Sequence, residues 1–153
     1  MIDFTIETEI ARAAPEVFAY VTDPELLPTW QTNTVSAIPE RPGPLLLGGR
    51  LREVHRVPGG RELPSVVEVV EYERDRTFAL RVVEGVPIHA RMTFEPTGDG
   101  TRFSFRAHGR LTGAMRLAQP LLKISLRRQF AEQCARLKQI LEEQPPVPGS
   151  ARG

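Results

Sequence analysis

The sequence is poor in cysteine and histidine. Cys134 is the only cysteine among 153 residues, so an internal disulfide, a CxxC redox pair and a thiolate-rich zinc site are excluded. Long apolar runs are missing as well, and the N-terminus has neither the basic segment nor the apolar segment of a signal peptide. We therefore expect a cytoplasmic protein without integral membrane association.

An excess of charge of either sign is also missing, because 20 Lys and Arg residues stand against 19 Asp and Glu residues. Such a balance provides no overall field that would attract nucleic acid or an anionic membrane, so we expect neither partner. The sequence has no catalytic triad and no paired-carboxylate motif. Its GGR segments at 48–50 and 59–61 do not open helices and are not phosphate loops. We predict no cofactor.

The elements that the sequence does predict begin with a strand and two short helices. Residues 2–10 alternate apolar and polar side chains, which is typical of a strand with one buried face. Pro15 and Pro24 each suit a first helical position, and Asp23 suits an N-cap. These signals predict two short helices in tandem, the second of which is interrupted by Pro28.

Beyond the second helix the pattern predicts six strands, at roughly 33–40, 49–57, 64–73, 77–85, 87–96 and 101–111. If TGDG is the last hairpin loop, Phe94 pairs with Phe103 on one face and His89 pairs with His108 on the other. The first face is apolar and the second is charged. The strands therefore predict an antiparallel sheet that buries a single face.

The last third of the chain predicts one long amphipathic helix. Apolar side chains recur there at three- and four-residue steps, at Leu122, Leu126, Phe130, Cys134, Leu137 and Leu141. Pro120 either begins or kinks this helix, and GAMRLAQ before it is either a short turn or irregular. We predict one domain over residues 1–143 and a disordered tail over 144–153.

A resemblance to a known superfamily is carried by five segments, APEVFAYVTDPELLPTW, GGRLREVHRVPGGRE, VVEVVEYERDRTFAL, MTFEPTGDGTRFSF and CARLKQILEE. The chain resembles the polyketide cyclase/dehydrase-like branch of the START-like, or SRPBCC, superfamily over about residues 1–143. The resemblance implies an α+β helix-grip fold, in which a seven-stranded antiparallel sheet wraps around the long C-terminal helix and encloses a hydrophobic pocket. Members bind or transfer apolar molecules such as lipids, sterols and polyketides, and some catalyse cyclisation or dehydration.

Geometry also favours a pocket, because a strongly curved sheet cannot press its whole concave face onto one helix. The apolar void that remains would bind apolar molecules. The candidate ligand-binding residues are Phe18, Leu27, Trp30, Val67, Val69, Glu71, Leu80, Met92, Phe105 and Phe130. Trp30 either stacks on a ligand at the pocket mouth or fills the core.

One of these candidates, Glu71, depends on strict alternation along the fourth strand. With Val69 opposite Leu80 on the inner face, alternation also places Glu71 inward and Tyr72 on the outer face. Glu71 is then a candidate for orienting a polar group of the ligand.

The catalytic candidates are Glu53 and His55, which lie in the segment RLREVHRV. This third strand has no clear apolar face, so its register stays open. In one register Glu53 and His55 both point into the pocket and can share a proton. In the other they are ordinary residues at the sheet edge, and Arg52 turns inward. His89 and His108 are too few for a zinc site, which needs three or four ligands, so no metal is predicted.

The sequence thus predicts a protein that binds a small hydrophobic or amphipathic molecule in a central cavity. One alternative is a polyketide cyclase/dehydrase-type enzyme in which Glu53 or His55 removes a proton next to a ligand carbonyl. A further alternative is a lipid chaperone or a module that binds a protein partner. We expect a monomer or a simple dimer.

Overall fold

A single antiparallel sheet dominates the computed structural model, which describes residues 1–57 and 59–144. In these parts of the chain the strands are β1 (Ile2–Ile10), β2 (Thr34–Pro39), β3 (Arg50–Arg56), β4 (Glu62–Glu73), β5 (Thr77–Glu84), β6 (Ile88–Pro96) and β7 (Thr101–Gly109). They form a seven-stranded sheet in the order β1-β7-β6-β5-β4-β3-β2. The predicted tail lies outside the described residues, apart from Gln144.

The helices are α1 (Ala14–Val21), α2 (Leu27–Trp30) and the long α3 (Gln119–Glu143), with 3₁₀ turns at Pro24–Leu26 and Gly113–Ala118. Asp23 caps the first 3₁₀ turn, because its Oδ1 accepts a hydrogen bond from the Glu25 amide at 3.0 Å. Pro28 was expected to interrupt a helix, but it lies in the first turn of α2. A proline is tolerated there because first-turn amides have no partner within the helix.

The registers predicted for the two hairpins are confirmed. Phe94 lies opposite Phe103, and His89 lies opposite His108. The predicted pairing of Val69 with Leu80 is also found. Together with the long C-terminal helix, this seven-stranded antiparallel sheet has the predicted α+β helix-grip architecture.

The core lies between the inner face of the sheet and the helices. Its most deeply buried large side chains include Trp30, Phe94, Phe103 and Leu137. Hydrogen bonds join the end of α3 to the segment just before α1, where the Arg12 guanidinium donates to the carbonyls of Glu142 and Gln144. Among the described residues, none of the helices has the length and apolar character that a bilayer crossing requires.

An irregularity in β4 overturns one predicted orientation. The pairing with β5 shifts between Val69 and Glu71, so one residue of β4 is left over as a β-bulge. Tyr72 consequently turns inward, with its ring centroid 5.5 Å from that of Phe18. Glu71 turns outward, where its carboxylate accepts a hydrogen bond from Nε of Arg91 at 3.1 Å. The predictions that Glu71 faces inward and Tyr72 outward are wrong, because the bulge reverses the alternation.

Candidate functional site

The long helix covers the inner face of the sheet unevenly. Its C-terminal half is tightly packed, with Cys134, Leu137 and Leu141 buried. The same helical face is only partly buried upstream, where it carries Leu122 and Leu126. The helix packs mainly along β1 at one edge of the sheet. On the inner face, Leu80 of β5 and Ala90 of β6 are only partly buried, whereas Leu51 of β3 is 1% exposed.

Partly exposed apolar side chains mark this less covered region, which we call the inner groove. We assign to it the apolar side chains that are partly buried and pack against the core, namely Leu80 and Val82 of β5, Ala90 of β6, and Leu122, Leu126 and Phe130 of α3. Two cavities lie elsewhere, one beside α1 and one along residues 39–50, and none of these six residues lines either of them. Leu80 lies directly opposite Ala90 in the sheet. The ring of Phe130 lies 5.0 Å from that of Phe105, which joins the helix side of the groove to β7.

The orientation of β3 decides between the two registers that the sequence left open. Glu53 is 6% exposed and Leu51 is 1% exposed, so both side chains point inward. Arg52 points outward, and its Nε lies 3.5 Å from a carboxylate oxygen of Glu40. The register with Arg52 inward is therefore excluded.

Glu53 and His55 lie together on the inner face. The distance from Glu53 Oε1 to His55 Nε2 is 3.6 Å, which suits an ion pair but is longer than a hydrogen bond. On its other side, His55 Nδ1 lies 3.3 Å from Oγ1 of Thr34, the residue opposite it in β2. The Thr34 hydroxyl donates to Gln31 Oε1, so His55 Nδ1–H is left to donate to Thr34. His55 Nε2 then carries a proton toward Glu53 only as imidazolium.

Gln31 and Thr34 extend this pair into a chain of four polar residues, and a second polar pair, Asn33 with Gln133, lies next to it in sequence at Asn33. Nε2 of Gln133, on α3, donates to Oδ1 of Asn33 at 2.7 Å. Gln133 is only 2% exposed and Thr34 only 3%. Neither residue was predicted from the sequence. Gln133 could have been found, because it is a polar residue beside Cys134 on the core-facing stripe of the helix, whereas nothing in the sequence singles out Thr34.

Trp30 lies next to this region and is completely buried. Its ring meets that of Phe103 edge-on, with the centroids 6.4 Å apart. Of the two predicted roles for Trp30, this placement matches core filling. Neither Trp30 Nε1 nor Gln133 Oε1 has a hydrogen-bond partner among the described residues. Two buried polar atoms thus have unused hydrogen-bonding capacity.

The predicted ligand-binding residues fall into three groups. Phe18, Leu27, Trp30, Val67, Val69, Met92 and Phe105 are buried members of the core. Leu80 and Phe130 are partly exposed and belong to the inner groove. Glu71 belongs to neither group, since it lies on the outer surface with Arg91.

The histidine pair lies on the outer face of the sheet, and the single cysteine is buried. The rings of His89 and His108 lie 5.4 Å apart, and Nδ1 of His89 accepts a hydrogen bond from the Val82 amide at 3.1 Å. Burial lowers the pKa of His89 and so favours its neutral form. Burial also raises the pKa of the Cys134 thiol to about 12. The described parts of the chain contain no group of three or more side chains placed to hold a metal ion.

Comparison with protein families and solved structures gives one family match and many matches in fold. A family model described as polyketide cyclase / dehydrase and lipid transport matches residues 1–142. Protein NE0264 from Nitrosomonas europaea is 21% identical, with a TM-score of 0.65, and the match covers 91% of this chain and 96% of that one. TTHA0849 from Thermus thermophilus is 20% identical, with a TM-score of 0.75 and the same two coverages, 91% and 96%.

A third similar structure is the di-domain ARO/CYC StfQ from the steffimycin biosynthetic pathway. It is 15% identical with a TM-score of 0.74, and the match covers 93% of this chain and 51% of StfQ. At these identities the structural matches establish the fold alone. Among curated proteins, no significant match to this chain is found.

Proposed function

Because this chain belongs to the polyketide cyclase / dehydrase and lipid transport family, we propose that it binds a small, mostly apolar molecule in the inner groove. The polar end of that molecule would lie at Glu53 and His55. The observation that carries this proposal is the incomplete burial of apolar side chains next to the core. Leu80 and Ala90 on the sheet and Phe130 on α3 are only partly buried.

The two parts of the groove would contribute differently to binding. Covering its apolar side chains gains roughly 25 cal/mol for each Å² removed from water. A polar group that enters with the ligand must be paired, since an unpaired buried polar group costs about 1–3 kcal/mol. The Glu53 carboxylate offers acceptors for a hydroxyl or phenol of the ligand. These residues therefore favour an amphipathic ligand over a pure hydrocarbon.

The proposal is tested by narrowing the groove. Ala90→Phe places a ring on the inner face, and we expect it to weaken binding of fatty acids and aromatic polyketides by at least about tenfold, since a bulky group takes the ligand's place. Ala131→Phe is the matched control, because Ala131 is exposed on α3. Equal affinity of the two variants would exclude the groove as the binding site.

A direct measurement complements this comparison. Native mass spectrometry of gently purified protein should detect a co-purifying apolar compound, which Ala90→Phe should reduce. A wild-type protein that carries no compound and binds none of a panel of lipids and polyketides would contradict the proposal.

A second candidate function is catalysis, and the burial of Glu53 beside His55 is the observation that favours it. A poorly solvated carboxylate can remove a proton next to a ligand carbonyl, and an imidazole nearby can pass that proton on. In an assay that follows cyclisation of a poly-β-carbonyl probe, Glu53→Gln with His55→Ala should abolish turnover, whereas binding of the probe should only weaken, because the apolar side chains of the groove are unchanged. Unchanged turnover in this double variant would exclude the mechanism and leave the binding proposal intact.

A further inference from the structure

Exposed apolar side chains are concentrated just before and at the start of α3. Met115 is 47% exposed, Leu117 88%, Leu121 76% and Ile124 68%. Single exposed apolar residues are ordinary on protein surfaces, but a cluster of them on one short segment indicates a binding surface. We call these four residues the apolar ridge.

Two residues of the apolar ridge, Met115 and Leu117, lie in the 3₁₀ turn Gly113–Ala118, and the other two lie in the first turns of α3. Leu121 and Ile124 are three residues apart and are therefore neighbours on one side of the helix. Leu122 and Leu126 belong to the other side, where they pack against the core. The ridge is thus not needed to hold α3 on the sheet.

Basic residues flank the ridge along the chain, and the acidic neighbour that the structure gives Lys123 is Asp3 of β1, which is itself paired with Arg106. The chain has no Asp or Glu from residue 100 to residue 131. The part of this stretch around the ridge carries Arg110, Arg116, Lys123, Arg127 and Arg128. All of these except Lys123 are exposed. The near-neutral total charge therefore includes a local excess of positive charge, so the charge balance of the whole chain does not exclude contact with an anionic membrane.

We propose that the apolar ridge and its flanking arginines dock on a bilayer that contains anionic lipids. Exposed Leu and Ile side chains enter the boundary between headgroups and acyl chains, while Arg and Lys attract the negative surface. A second copy of this chain fits the surface less well, because a symmetric contact through the ridge would bring two positively charged segments together. This inference rests on exposure and charge and does not depend on the proposed ligand.

Vesicle cosedimentation tests the proposal. We expect the protein to sediment with vesicles of equimolar phosphatidylglycerol and phosphatidylcholine, much less with phosphatidylcholine alone, and less as salt is added. Leu121→Ser with Ile124→Ser, and separately Arg127→Gln with Arg128→Gln, should each lower the partition coefficient by about tenfold or more. All four positions are solvent-facing, so the fold should be kept, and circular dichroism checks this.

Matched controls use equally exposed residues elsewhere. Ile38 is 63% exposed on β2, and Ile38→Ser should leave sedimentation unchanged. Arg41→Gln with Arg74→Gln removes the same charge from exposed positions outside the basic stretch and should have little effect. Failure to sediment with anionic vesicles overturns the proposal, as does equal loss in the ridge variants and the controls. A dimer on size exclusion that Leu121→Ser with Ile124→Ser converts to monomer, without vesicle binding, would assign the ridge to a second copy instead.

Discussion

Glu53 and His55 face each other on the inner side of β3, with 3.6 Å between Oε1 and Nε2. The pair is buried asymmetrically, since the Glu53 side chain is 7% exposed and that of His55 is 28% exposed. The charge of a carboxylate in this position must be stabilised by its neighbour, because few water molecules can reach it. The interaction between the two side chains can therefore be measured as a coupling energy.

A double-mutant cycle measures this coupling. His55→Leu alone leaves the Glu53 carboxylate buried without its basic partner, so we expect a loss of about 1–3 kcal/mol in the free energy of unfolding. In a Glu53→Gln background the same change should cost clearly less, since no charge is left unpaired. Urea unfolding of the wild type, the two single variants and the double variant gives the coupling free energy. Additive losses would show that the two side chains do not stabilise each other.

Trp30 is the only tryptophan, so its fluorescence reports on one known site. Because Trp30 is 0% exposed and packs edge-on against Phe103, its emission should be blue-shifted and barely quenched by iodide in the native protein. Urea should restore quenching. Efficient native quenching would instead place Trp30 at an opening, as in the alternative role predicted from the sequence.

The bulge in β4 makes opposite predictions for two adjacent residues. Tyr72→Ala removes a ring that packs on Phe18 and Phe78, so the free energy of unfolding should fall by about 2–4 kcal/mol. Glu71→Ala removes only an exposed ion pair with Arg91 and should cost less than about 1 kcal/mol. Chemical denaturation of the Tyr72→Ala and Glu71→Ala variants measures the two losses in the free energy of unfolding. Strict alternation along the strand, without the bulge, would reverse the order of the two losses.

Glu142 should make stability depend on acidic pH. Its Oε2 accepts hydrogen bonds from the Ala11 amide at 2.8 Å and from Lys138 Nζ at 3.0 Å. The Ala11 bond, followed by Lys138, lowers the pKa of Glu142 below its usual value of 4.5. A lowered pKa in the folded state means that the stabilisation is complete above the unfolded-state pKa and is lost as the pH falls through the folded-state pKa.

Glu142→Gln should therefore cost about 1 kcal/mol near neutral pH and progressively less below about pH 4. Thermal unfolding of both proteins across this pH range measures the difference. Glu143→Gln is the control, because the neighbouring Glu143 is exposed and contacts Gln139 within the same helix. A difference between wild type and Glu142→Gln that stays constant with pH would contradict the role assigned to this carboxylate.

Much of the fold could be predicted because local chemistry determines it. The alternation of apolar and polar residues predicts the strands. The four-residue TGDG loop between two of them then determines their register, with Phe94 opposite Phe103. Proline and aspartate likewise mark where the short helices begin. These signals act over a few residues, so a single sequence suffices to read them.

The candidate site was only partly predictable, because it depends on contacts between distant residues. The β4 segment VVEVVEYE contains two valine doublets, and its alternation does not reveal which residue the bulge leaves unpaired. The direction in which Glu53 points is decided by pairing with β4, where it lies opposite Ser65.

The sequence by itself determined the elements, their order and the registers of the tight hairpins, since short loops and side-chain periodicity act locally. The tertiary structure decided which polar side chains meet, as when Gln133 of α3 reaches Asn33 across a separation of 100 residues. It also decided how much of the inner face α3 leaves uncovered. Both depend on the angle at which a long helix lies on a curved sheet, and that angle results from packing over the whole domain.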